Sequence, residues 1–114
     1  MGSIKNFFKT MIRMNTVCLG KVNGSGFAGC YVGLAKKNDA PALMFFGTSL
    51  KEDYVFNKND IENVTIIGNG REKNAKGAMS SVTKYQLKFK DGKTAICSID
   101  QNGSFVSNFE SRIY

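Results

Sequence analysis

Val82-Thr83-Lys84-Tyr85-Gln86-Leu87-Lys88-Phe89-Lys90-Asp91-Gly92-Lys93-Thr94-Ala95-Ile96-Cys97-Ser98-Ile99 is the stretch on which the fold turns. Tyr85, Leu87 and Phe89 alternate with Lys84, Gln86, Lys88 and Lys90, the period of a strand with one dry and one wet face. Asp91-Gly92 then marks a tight turn. Residues 82–90 and 93–99 therefore read as a β-hairpin.

Working outward, five more runs have strand character. Residues 16–22 and 27–36 flank Asn23-Gly24-Ser25-Gly26, a turn rich in residues that accept positive φ. In the second run Ala28, Cys30, Val32 and Leu34 share one face; Phe27, Gly29, Tyr31 and Gly33 share the other. Residues 42–48 follow the single proline, Pro41, with Leu43, Met44, Phe45 and Phe46 as core. Residues 53–57 and 61–67 are separated by Asn57-Lys58-Asn59-Asp60, a turn. Residues 68–80 are almost without apolar side chains and are expected to form a mobile loop carrying Arg71, Lys73 and Lys76.

Two helices are expected, one at each end. Phe105, Val106, Phe109 and Ile113 recur at helical spacing after a start near residues 100–104. Ile4, Phe7, Phe8, Met11 and Ile12 do the same over residues 3–15, with Ser3 as N-cap and Lys5, Lys9 and Arg13 as a basic stripe beside the apolar face. The expected organisation is an N-terminal amphipathic helix, residues 1–15, followed by one β domain, residues 16–114. The fold class is mainly β (α+β), a seven-stranded antiparallel barrel capped by the C-terminal helix.

Composition narrows the chemistry. The chain of 114 residues has 16 basic and nine acidic side chains, a net charge of +7, and no histidine. Such a field favours anionic partners. Without histidine, the side chain most used for acid–base work near neutral pH is missing. Cys18, Cys30 and Cys97 lie inside apolar runs with no activating base in sight, and they form neither a Cys-x-x-Cys pair nor a metal-ligand set. No Gly-Lys-[Ser/Thr] follows the glycine clusters, so no phosphate loop is written. No catalytic residue, cofactor or metal is expected, and buried thiols in a reducing cytosol are the ordinary reading of the cysteines. Lys9 and Arg13 interrupt the first apolar stretch, so neither a secretory signal nor a spanning helix is expected.

Three motifs then carry a resemblance: Tyr54-Val55-Phe56; Asp60-Ile61-Glu62-Asn63-Val64-Thr65-Ile66; and Tyr85-Gln86-Leu87-Lys88-Phe89-Lys90-Asp91-Gly92-Lys93. Over residues 16–114 the chain resembles a pleckstrin-homology-like domain of the small bacterial kind. The resemblance implies bent sheets plugged by the C-terminal helix, and a recruitment role toward phosphoinositides, proteins or further copies of itself. The basic cluster that clamps inositol phosphates around the first hairpin turn in eukaryotic members is not matched here. Only Lys21 flanks 23–26, and Phe105 or Phe109 stands where their closing helix carries tryptophan.

The expected function is thus a non-catalytic docking or assembly module, cytoplasmic and peripheral at an anionic membrane surface. Packing on the β domain itself is the favoured reading of the N-terminal helix; at an anionic surface, Lys5, Lys9, Arg13, Arg71, Lys73 and Lys76 would supply the attraction, with Phe7, Phe8 and Met11 as apolar anchor. A protein partner or self-association is the leading partner class. Two alternatives stay open. One is a nucleic-acid-binding small barrel using Lys84, Lys88, Lys90 and Lys93 on phosphates. The other is a self-assembling structural domain that pairs through an exposed edge, at residues 16–22 or 53–57.

Overall fold

The computed structural model describes residues 17–24, 26–47, 50–74 and 76–114. The expected helix over residues 1–15, with Lys5, Lys9, Arg13, Phe7, Phe8 and Met11, lies outside them.

Seven strands and one helix follow one another: β1 (Cys18–Asn23), β2 (Cys30–Lys37), β3 (Ala40–Phe46), β4 (Tyr54–Phe56), β5 (Ile61–Lys73), β6 (Met79–Phe89), β7 (Thr94–Asp100) and α1 (Phe105–Ile113). A short 3-10 turn, Lys58–Asp60, joins β4 to β5. Every pairing is antiparallel, and the strands form a single sheet in the order β4-β3-β2-β1-β7-β6-β5. The sheet is rolled without closing. Phe56 on β4 meets Phe89 on β6 at a ring-centroid distance of 4.9 Å, although β3, β2, β1 and β7 lie between them in the sheet. Among the described residues β4 and β5 are the edge strands. The barrel expected from sequence is therefore an open sheet, and the expected edge at residues 16–22 is corrected: β1 sits between β2 and β7 and has both sides paired.

Local chemistry explains the elements. Asn38 and Asp39 both take positive φ, 52° and 63°, making the two-residue turn between β2 and β3. Asp91 accepts the Lys93 N–H at 3.0 Å and shapes the β6–β7 turn. In the 3-10 turn, Asn57 Oδ1 accepts the Asn59 N–H at 2.9 Å while Asp60 Oδ2 accepts the Asn57 N–H at 3.0 Å, a reciprocal cap. Lys37 locks that cap to the β2–β3 turn with a 2.8 Å ion pair to Asp60.

One apolar cluster draws on every strand and on α1. Tyr85, Leu87 and Phe89 are fully buried, the dry face expected of β6. Phe27 is also buried, against Phe45 and Tyr54. It belongs to the turn before β2 rather than to a solvent-side strand face, because β2 begins only at Cys30. Phe109 and Ile113 seal the cluster from α1, with Phe105 and Val106 packed on its margin. Gly20 marks the tightest backbone approach: a Cβ there would lie 2.0 Å from the Ser98 carbonyl oxygen across the β1–β7 ladder.

The expected loop over residues 68–80 is corrected. β5 and β6 continue as a paired ribbon from Gly68 opposite Lys84 out to Lys73 opposite Met79, leaving a turn of only residues 74–78. The ladder shifts register between Ile66 and Gly68, where Gly68 takes φ 150°. Such a bulge bends a strand and increases its twist. Beyond it the ribbon lies against the outer side of β7 rather than over the apolar core.

Candidate functional site: the tip of the β5–β6 ribbon

The underside of the ribbon is held by polar groups. Ser80 Oγ donates to Asp100 at 3.1 Å, and Gln101 N–H reaches the Ser81 carbonyl at 2.9 Å. Glu72 reaches across β6 to accept Ser98 Oγ–H at 2.8 Å and forms an ion pair with Lys84 at 3.1 Å. Burial opposes ionisation of Glu72, but the bonds from Ser98 and Lys84 outweigh it and hold the carboxyl below its ordinary range. Ser80, Ser98 and Asp100 are buried beneath this layer. Val82 is buried beside them, the one apolar side chain of the underside.

The turn is preorganised by Asn74. Its Oδ1 accepts the N–H groups of Lys76 and Ala78 at 2.9 and 3.1 Å, and its Nδ2 donates to Ser80 at 3.3 Å. With Glu72 turned under, strand alternation sends Arg71 and Lys73 to the opposite face, cross-strand from Ser81 and Met79. Arg71, Lys73 and Lys76 are exposed, and no described carboxylate pairs with any of them. Met79 has 53% of its surface exposed. The tip thus presents three cations without a carboxylate partner among the described residues, and one exposed apolar side chain across from Lys73.

The second set of basic residues is differently placed. Lys84 and Lys88 occupy the outer face of β6, as the alternation required, but Lys84 pairs with Glu72 and Lys88 with Glu62 at 3.8 Å. Lys93 pairs with Asp91 at 3.6 Å and sits 5.0 Å above the Tyr54 ring. Tyr54 donates to Asp91 at 2.8 Å. Burial, then that bond, push the Tyr54 hydroxyl far above its ordinary value. Lys90 is exposed next to this group. Three of these four lysines therefore have carboxylate partners.

Burial favours the protonated form of two of the thiols, Cys18 and Cys97. None of the three forms a disulfide, and Cys97 is fully buried and pushed well above its ordinary pKa by desolvation. Cys18 is half-buried and raised by the same cause, against a weak bond to the Gly20 carbonyl. Among the described residues no group of acidic or cysteine side chains is arranged to hold a metal ion.

Reading the sequence located Arg71, Lys73 and Lys76 but overlooked Met79. A lone methionine in a polar run carries no periodicity, and its neighbours on the same face, Ser81 and Thr83, are polar. The available signal was register: residue 79 lies an even number of positions before Tyr85. Among the described residues no helix is long and apolar enough to cross a membrane. No protein family, no curated protein and no solved structure matches this chain.

Proposed function

We propose that the chain is a non-catalytic, pleckstrin-homology-like docking module that works at an anionic membrane surface. The observation that carries this reading is the ribbon tip: Arg71, Lys73 and Lys76 have no carboxylate partner among the described residues, and Lys73 lies across from the exposed Met79. Cations that need not break an ion pair to bind lose less on meeting a negative surface, and each is worth roughly 1 kcal/mol near an anionic leaflet. An exposed apolar side chain across from one of them adds a shallow anchor. The order of seven antiparallel strands followed by a helix supports the pleckstrin-homology-like part of the reading. The three paired lysines on and beside β6 argue against the nucleic-acid alternative, whose phosphate contacts would have to displace Glu72, Glu62 and Asp91.

Sedimentation with vesicles containing phosphatidylserine tests it. The protein pellets with anionic vesicles and not with zwitterionic ones, and added salt releases it. Equal pelleting with both kinds, or none with either, defeats the reading. Salt-sensitive binding to DNA in place of vesicles would instead promote the alternative.

A self-association reading also has a specific observation behind it. β5 is an edge strand without a second neighbour among the described residues, and on it Ile66 and Ile67 are 55% and 50% exposed. An unpaired strand with apolar side chains invites a further strand, although the bulge at Ile66–Gly68 interrupts it. Concentration-dependent sedimentation velocity decides between a monomer and a strand-paired dimer.

A further inference from the structure

A second charged feature uses none of the ribbon's residues. Between the start of β3, the 3-10 turn and the end of α1 lies a cavity of about 260 Å³, lined by Pro41, Asn57, Lys58, Asn59, Ser111 and Arg112 among others. No carboxylate lines it. The neighbouring Asp60 is committed to Lys37 at 2.8 Å, and Lys58 has no ion-pair partner among the described residues.

Arg112 is the unusual member. Its Nη1 donates to the Asn108 carbonyl at 2.9 Å and, more weakly, to Asn108 Oδ1 and Ser111 Oγ. Its Nε is buried and has no partner among the described residues. Buried donors are nearly always satisfied in folded proteins, so this unpaired Nε–H leaves Arg112 loosely held where it lines the cavity. The Nη1 bond to the Asn108 carbonyl meanwhile answers the partial negative charge at the end of α1, which would otherwise repel an anion.

We propose that this cavity binds a phosphate monoester group, held between the Lys58 ammonium and the Arg112 guanidinium. The donor set favours phosphate: a fork of guanidinium donors and a point charge approach from two elements, which suits an anion with three free oxygens. The volume lies below the about 300–1,000 Å³ typical of sites for drug-sized ligands, which suits one phosphorylated headgroup rather than a nucleotide. The group could belong to a soluble phosphate or to a lipid headgroup, the chemistry being the same.

The test is amide chemical-shift titration of the full ¹⁵N-labelled chain with inorganic phosphate and with glycerol phosphate, at constant ionic strength against chloride. Saturable shifts are expected at Asn57, Lys58, Asn59 and Arg112. Lys58→Gln, at an exposed position, is expected to weaken binding roughly tenfold or more with the remaining spectrum unchanged. Arg112→Gln is less decisive, because the guanidinium also braces α1 through the Asn108 carbonyl. Shifts that do not saturate, that centre on Arg71, Lys73 and Lys76, or that survive Lys58→Gln overturn the proposal. A parallel arm with phosphatidic acid vesicles separates the sources. Pelleting lowered by Lys58→Gln assigns a lipid headgroup, whereas binding of glycerol phosphate alone assigns a soluble one, and both outcomes uphold the phosphate site. Failure of the ribbon reading stays visible separately, since it depends on Arg71, Lys73 and Lys76 only.

Discussion

The two halves of the β5–β6 ribbon share one ladder and differ in what lies beneath it. Near the core, Tyr85, Leu87 and Phe89 are fully buried, and Lys84 and Lys88 on the outer face have Glu72 and Glu62 as partners. Past the bulge at Ile66–Gly68 the ribbon rests on Ser98 and Asp100 through hydrogen bonds, and its outward cations have no carboxylates. Hydrophobic burial sets the stability of the first half. In the second half a polar underlayer of Ser98 and Asp100 takes the place of the apolar core. The contrast teaches that alternation alone does not assign a role; whether each charge is already compensated does.

The largest expected effect separates the halves by stability. Leu87→Ala removes a fully buried side chain and should cost about 2–5 kcal/mol in urea unfolding. Met79→Ala, at an exposed position, should stay within about 0.5 kcal/mol. Comparable costs for both would show that the tip has an apolar core of its own and would break the comparison.

Function should separate them in the opposite sense. Reversing Arg71, Lys73 and Lys76 to glutamate together should reduce affinity for anionic vesicles by roughly a hundredfold or more, with little change in unfolding midpoint. Lys84→Glu with Lys88→Glu should leave vesicle binding nearly intact while lowering stability, because each would then face a carboxylate that it now neutralises. If both variants lose binding equally, overall charge rather than the tip is responsible.

Gly20→Ala sharpens the structural side of the comparison. The added Cβ meets backbone at Ser98, the residue whose hydroxyl also holds Glu72. A cost of about 1–3 kcal/mol is expected, accompanied by shifts at Glu72 and Lys84 amides. A neutral substitution would mean that the β1–β7 ladder is free to separate.

The smallest expected effect is on pH dependence. Glu72 has a folded pKa lowered beneath its unfolded value of about 4.3, so its contribution is present above that pH and is lost as pH falls through the folded value. Asp60, held down first by Lys37, changes in the same direction. Thermal unfolding between about pH 6 and about pH 3 should therefore fall less steeply for Lys84→Met than for the parent chain. Parallel curves would remove the Glu72–Lys84 link from the account.

Much of the fold was legible because burial leaves a period. Tyr85, Leu87 and Phe89 announced β6, Asp91-Gly92 announced the turn, and Phe105, Val106, Phe109 and Ile113 announced α1. What could not be read was structure without an apolar face. Residues 68–73 and 79–81 pair as strands through backbone bonds while their side chains meet Ser98, Asp100 and water, so no hydrophobic alternation marks them. Edge status was hidden only in part. Residues 53–57 were named as an edge and fall on β4, at one end of the sheet, whereas only long-range pairing shows that β1 is internal and β5 lies at the other end. Of the candidate site, the cations at 71, 73 and 76 were visible as charge. Their freedom from carboxylates depends on Glu72 turning toward Ser98, which no local pattern encodes.

The central claim, that the ribbon tip docks on an anionic surface, is tested most directly by placing an optical reporter there. The chain contains no tryptophan, so Met79→Trp introduces a single indole at the proposed contact. Its emission should shift to the blue on addition of anionic vesicles, remain unchanged with zwitterionic ones, and return on adding salt. An emission that stays that of water-exposed indole while the protein pellets with the vesicles would contradict the account, because binding would then use another surface.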